Sequence, residues 1–162
     1  MREDERPARR AARDYSALEK ACARASEKEG DHRIASATEI LYEELCDRGG
    51  DWLGFYRITP EEDAMVLVTC KPKPACSPIG LQGVCGRAWR ERKAQVVEDV
   101  HALGDDHIVC DPENRSEVVV PCFDEAGSCW GVLDVDSRSL SAFTDEDAEG
   151  LRRCLRAAGL TP

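Results

Sequence analysis

Two β-rich runs separated by a short polar turn constrain this chain more than any other feature. Glu117-Val118-Val119-Val120-Pro121-Cys122-Phe123 carries a β-branched run, Asp124 to Ser128 is turn-like, and Cys129-Trp130-Gly131-Val132-Leu133-Asp134-Val135-Asp136 alternates. Together they read as a hairpin. The period of two puts Leu133 and Val135 on one face and Trp130, Asp134 and Asp136 on the other. Two acids at successive same-face positions repel, which raises the pKa of at least one and suits a proton donor. The same pair would be unremarkable as solvent-facing acids at a strand end. Just upstream, Cys110 precedes Asp111-Pro112, a turn-starting dipeptide, and Glu117 heads the strand. A thiol on a loop beside an acid on a rigid strand is the layout of an active site, and also that of an exposed loop cysteine before an ordinary strand.

The remaining elements follow from periodicity. Tyr15, Leu18, Cys22 and Ala25 recur at helical spacing over 14–27, and Ile34, Ala37, Leu41 and Leu45 mark a second helix closed by Gly49-Gly50. Cys22 and Cys46 fall on or beside these apolar faces and read as core. Asp51 to Ile58 reads as a central strand with Trp52, Gly54 and Tyr56 on one face and Leu53 and Phe55 on the other. Glycine between two aromatics leaves a notch, either pocket wall or core packing. Pro60 and the acidic Glu61-Glu62-Asp63 turn lead into a strand over 64–69. Pro72, Pro74 and Pro78 exclude helix and inner strand from 71–80, so Cys76 is expected to be exposed, its thiolate favoured by nearby lysines. Cys85 falls in the first turn of a short helix, placed either to favour a thiolate or as small filler between Gly83 and Gly86. After a short strand over 94–97, residues 98–112 lack periodicity and hold His101, His107 and Cys110, and a loop that long is usually functional. His107 is either an activator of Cys110 or a solvated side chain. Thr144 to Asp147 caps a last helix whose buried stripe is Ala148, Leu151, Leu155 and Ala158. This order predicts an α+β fold: a mostly antiparallel sheet, N- and C-terminal helices packed on one face, and a ligand cavity under loops on the other.

Composition narrows the function classes. The chain has 162 residues, 42% hydrophobic and 33% charged, with net charge −10. One globular domain over 14–160 with a flexible tail over 1–13 accounts for that length. The acidic balance, with no basic stripe, argues against nucleic acid and anionic lipid. No run reaches the roughly 18 apolar residues of a membrane span, and no export signal is seen, so the chain is expected in the cytoplasm. Nine cysteines in such a chain do not read as a disulfide framework. They lack a C-x₂-C pair, so no metal centre is expected.

Several of these pieces together resemble the free methionine-(R)-sulfoxide reductases, small GAF-domain proteins. The resemblance runs from about Tyr15 to Ala158. It rests on Trp52-Leu53-Gly54-Phe55-Tyr56, Lys73-Pro74-Ala75-Cys76, Gly83-Val84-Cys85-Gly86, His107-Ile108-Val109-Cys110-Asp111, Arg115 to Pro121, and Gly131 to Asp136. The chain departs from the family in Asp51, in Thr69 to Pro72, and in a Cys76–Cys85 loop one residue short. The resemblance implies reduction of free L-methionine-(R)-sulfoxide by thiol chemistry. Cys110 would attack, with Cys85 the alternative attacker, and Glu117 and Asp136 would hold and protonate the sulfoxide oxygen. Asp134 would assist or bind the ammonium, and Trp52 and Tyr56 would cage the methyl group. Cys76 or Cys85 would resolve the sulfenic acid, with Cys85 as a relay outward. It implies no bound cofactor, electrons from NADPH through thioredoxin or glutaredoxin, and is compatible with a homodimer. A non-catalytic GAF sensor of a small ligand is the competing expectation.

Overall fold

The computed structural model describes residues 13–106 and 110–162; residues 1–12 and His107 lie outside the described residues. Six antiparallel strands form one sheet: β1 (Trp52–Thr59), β2 (Ala64–Lys71), β3 (Ile79–Gly80), β4 (Gln95–Val97), β5 (Ser116–Phe123) and β6 (Cys129–Ser137), in the order β3-β2-β1-β6-β5-β4. Four helices accompany it: α1 (Tyr15–Cys22), α2 (Gly30–Leu45), α3 (Val84–Glu91) and α4 (Asp145–Ala157). The expected α+β architecture is the one found.

Alternation along the strands divides the molecule into two apolar layers. Leu53, Phe55, Val118, Val120, Leu133 and Val135 face α1, α2 and α4, where Leu18, Leu41, Leu151 and Leu155 complete the main core. On the opposite face Tyr56, Met65, Val119 and Val132 pack with Val84 and Ala88 of α3. The terminal helices therefore cover one face, and α3 with its flanking loops covers the other. Asp14 caps α1 through the Ala17 amide. Thr144 and Asp147 form the reciprocal capping box of α4.

The structure corrects five expectations. Trp130 lies with the helix-side core and stacks on Phe55, away from Asp134 and Asp136. The register jumps from Cys122↔Gly131 to Phe123↔Cys129, so a bulge at Trp130 reverses the facing that strict alternation requires. Cys46 is only half-buried, at the C-cap of α2, its thiol directed to the Glu43 carbonyl. Helix α1 gives way to a 3₁₀ turn over Ala23–Glu27, so the apolar spacing over 14–27 spans two segments. The aperiodic 98–112 stretch contains a kinked 3₁₀ segment, Val100–Asp106. Arg13, assigned to the tail, is anchored: it pairs with Asp147 at 2.8 Å and donates to the carbonyls of Arg48 and Ala142. No helix among the described residues is long and apolar enough to cross a membrane.

Candidate active site

A cavity of about 350 Å³ opens between the sheet, α3 and the two cysteine-bearing loops. Its wall begins in β1, where Trp52 and Tyr56 project from the same face with ring centroids 6.4 Å apart. Both are buried, and both tie down the proline-rich loop above them. Trp52 Nε1 donates to the Lys73 carbonyl at 2.8 Å, and Tyr56 Oη donates to the Cys76 carbonyl at 2.9 Å. The glycine between them is required by packing: a Cβ at Gly54 would meet the Trp52 indole and the β2 backbone at Thr69.

The mouth carries sulfur. Cys76 and Cys110 form a disulfide, their Cα atoms 5.7 Å apart, and Cys110 is among the cavity-lining residues. Cys76 is exposed, as its proline-rich setting predicted. Lys73 Nζ and Asp111 Oδ2 meet at 2.9 Å, a second bond between the same two loops. The lysine's hydrogen bond, with a further one from the Glu113 amide, holds the Asp111 carboxyl below the usual carboxylate range.

The floor carries carboxylates. The β5–β6 register sets Glu117 opposite Asp136, and the period of two adds Asp134 on the same face. One carboxylate oxygen from each of the three lies within 4.8 Å of the others. All are buried: Glu117 is 6% exposed, Asp134 7% and Asp136 9%. Asp134 and Asp136 line the cavity, with Glu117 behind them. Burial raises the pKa of Glu117 and of Asp136 well above normal; Asp134 raises Glu117 further, against a lowering hydrogen bond with Asp136, and Asp134 and Glu117 both raise Asp136 further. Burial also raises Asp134, partly offset by hydrogen bonds from Glu117, Asp136 and Cys85. Among the described residues Asp134 Oδ1 has no hydrogen-bond partner, and Asn114 Nδ2 donates to Asp136 Oδ2 at 3.2 Å. Such a floor keeps its protons to higher pH than free carboxylates do and can hand one to an oxygen above it.

Cys85 belongs to this floor rather than to the mouth. It is 6% exposed, and burial, followed by the repulsion of Asp134, Glu117 and Asp136, pushes its thiol well above the usual range. Of the two readings left open for Cys85, a thiolate favoured by the helix start or small filler between glycines, the first is outweighed by these two effects. A buried thiol hydrogen-bonded to Asp134 is placed as a neutral donor under the cavity.

Six of the eight candidate side chains line one cavity; Cys76 is joined to it through its bond to Cys110, and Glu117 through its cluster with Asp134 and Asp136. His107 lies outside the described residues. Sequence reasoning missed Asn114, whose place in the turn between Asp111-Pro112 and β5 carries no periodic or motif signal. Among the described residues the three floor acids are the one group placed to hold a metal ion, and they were not considered as ligands because attention went to cysteine spacing.

Comparison with known proteins agrees with the geometry. A GAF domain model matches residues 29–161. The free methionine-R-sulfoxide reductase of Escherichia coli is 43% identical over 122 residues, covering 74% of this chain and 70% of that protein. The X-ray structure of free methionine-R-sulfoxide reductase from Neisseria meningitidis in complex with its substrate superposes with a TM-score of 0.81 at 34% identity, covering 91% of this chain and 90% of that one. The reduced form of the Staphylococcus aureus protein gives 0.77 at 35% identity, covering 91% and 94%. On these matches the chain belongs to the GAF-domain family and, within it, to the free methionine-R-sulfoxide reductases.

Proposed function

We propose that this protein, through a catalytic domain spanning 14–160, reduces free L-methionine-(R)-sulfoxide to methionine. The observation that carries the reading is the meeting of Cys76 and Cys110 at the mouth of a cavity above three buried, clustered acids. A sulfoxide oxygen is a poor leaving group until protonated, and its sulfur accepts a thiolate. The Cys110 thiolate attacks that sulfur while Asp136, supplied by Glu117 behind it, protonates the oxygen. The attack forms a bond between the two sulfurs; the protonated oxygen then passes from the substrate sulfur to Cys110 as the S–O and S–S bonds break, leaving a sulfenic acid and releasing methionine with the electron pair on its sulfur. The Cys76 thiol then displaces water from the sulfenic acid and forms the disulfide. A dithiol protein, thioredoxin or glutaredoxin, returns both sulfurs to thiols with electrons that originate in NADPH. Trp52 and Tyr56 enclose the S-methyl group, and Asp134 with Cys85 beneath it completes the polar floor. No cofactor needs to stay bound. This cycle fits a reducing compartment such as the cytoplasm.

The deciding measurement is NADPH oxidation in a thioredoxin-coupled assay with R and S epimers, free and peptide-bound, run separately. Turnover of the free R epimer alone is expected. Tight binding of that epimer without turnover would replace the enzyme with a ligand sensor.

A further inference from the structure

We infer that the Lys73–Asp111 pair at the cavity mouth is the receptor for the zwitterionic end of the substrate, and so selects the free amino acid over the same residue in a peptide. The inference rests on the functional reading above. The floor holds carboxyl groups and a thiol but no cation, so it offers an α-carboxylate no counter-charge; the group must go elsewhere. Among the described residues that line the cavity, Lys73 is the one cationic side chain. It stands at the mouth, on the loop that carries Cys76, while Asp111 follows Cys110 directly. A sulfoxide whose oxygen meets the floor and whose sulfur meets Cys110 has only two methylenes between that sulfur and its α-carbon. Its charged end therefore falls near Cys110, beside Asp111.

The pair is complementary to a zwitterion: ammonium to the Asp111 carboxylate, carboxylate to the Lys73 ammonium. Without substrate the two charges satisfy each other at 2.9 Å. Insertion of a zwitterion exchanges one ion pair for two. A peptide presents amides at these positions, so it would part the pair and leave both charges uncompensated, a discrimination by unpaired polar groups. Lys73 keeps 54% of its side chain exposed and Asp111 20%, so the recognition is screened by salt.

The test uses three R-sulfoxide substrates: the free amino acid, its methyl ester without the carboxylate charge, and its N-acetyl derivative without the ammonium. Lys73→Met is expected to raise KM for the free amino acid by roughly tenfold or more, the scale of a charge-assisted hydrogen bond. Its kcat should change little, and KM for the ester should stay near the wild-type value. Lys73→Arg should restore most of the affinity. Asp111→Asn should raise KM for the free acid and the ester but spare the N-acetyl derivative. The ester serves as an internal control, since a variant with a damaged loop loses acid and ester alike. In Lys73→Met, equal shifts for acid and ester, or no shift for either, would overturn the assignment. Wild-type turnover of the free acid would in that case keep the functional reading intact. Absence of wild-type turnover would remove the reading itself.

Discussion

Cys85 and Cys110 stand within reach of one cavity, and their surroundings divide the chemistry between them. Cys110 sits on an exposed loop with Cys76 as neighbour, while Cys85 is surrounded by three acids that disfavour its thiolate. Only a thiolate attacks. Cys110→Ser should therefore reduce thioredoxin-coupled turnover to background. Cys85→Ser should lower it by no more than roughly tenfold, because a hydroxyl can make the same hydrogen bond to Asp134. Cys76→Ser, given one equivalent of sulfoxide without reductant, should release methionine and leave a sulfenic acid on Cys110, visible as a dimedone adduct by intact mass. Turnover surviving in Cys110→Ser, or a dimedone adduct mapping to residue 85, would reverse the two roles.

Strand β1 shows how an element converts a small residue into a site. Gly54 lies between Trp52 and Tyr56, and its missing Cβ is the space into which the Trp52 indole folds. That indole in turn holds the Lys73 carbonyl and, with it, the loop carrying Cys76. Gly54→Ala should displace the indole, destabilise the fold by about 1–3 kcal/mol as overpacking does, and raise KM, with urea unfolding and steady-state kinetics as readouts. Unchanged stability and KM would mean that the strand absorbs the methyl group and the notch has no role. The notch was legible in the sequence, because alternation along 51–58 is unbroken and both aromatics share its parity. The acids were legible for the same reason: Asp134 and Asp136 share a parity, and Glu117 heads the partner strand. Trp130 was not, since a bulge leaves the composition of a strand intact while shifting its register. Nor was the burial of Cys85, because local spacing shows a helix start but not the acids that two distant strands place beneath it. The 3₁₀ segment Val100–Asp106 escaped notice because it is too short and irregular to carry a repeat.

At the scale of the whole molecule, site and scaffold pull stability in opposite directions with pH. Glu117 and Asp136 have folded-state pKa values raised by burial and mutual repulsion, so the folded protein binds more protons than the unfolded chain above about pH 4. Their contribution to stability therefore falls as pH rises from that point through their folded-state values. Asp147 behaves oppositely. Burial pushes it up, but Arg13 and Tyr15 outweigh burial and hold it below normal. Its contribution is complete above the unfolded carboxylate pKa and is lost as pH falls through the lower folded value. The two groups therefore pull in opposite directions: Asp147 costs stability on the acid side, and the floor acids cost it as pH rises. Asp136→Asn and Glu117→Gln remove the acids responsible, and an amide has no charged form to bury. Either variant should therefore melt above wild type at pH 7.5. Both variants should also show a flatter Tm profile between pH 5 and 8 (about the span where raised carboxyl groups ionise) and a lower kcat, with a smaller effect on KM. Asp147→Asn should do the reverse, lowering Tm at neutral pH and erasing the acid limb. Calorimetric scans of the reduced proteins across that range decide the matter. If Asp136→Asn melts below wild type at pH 7.5 with an unchanged slope, the floor carries its charge at no cost to the fold, and its place as a proton store under the sulfoxide is lost.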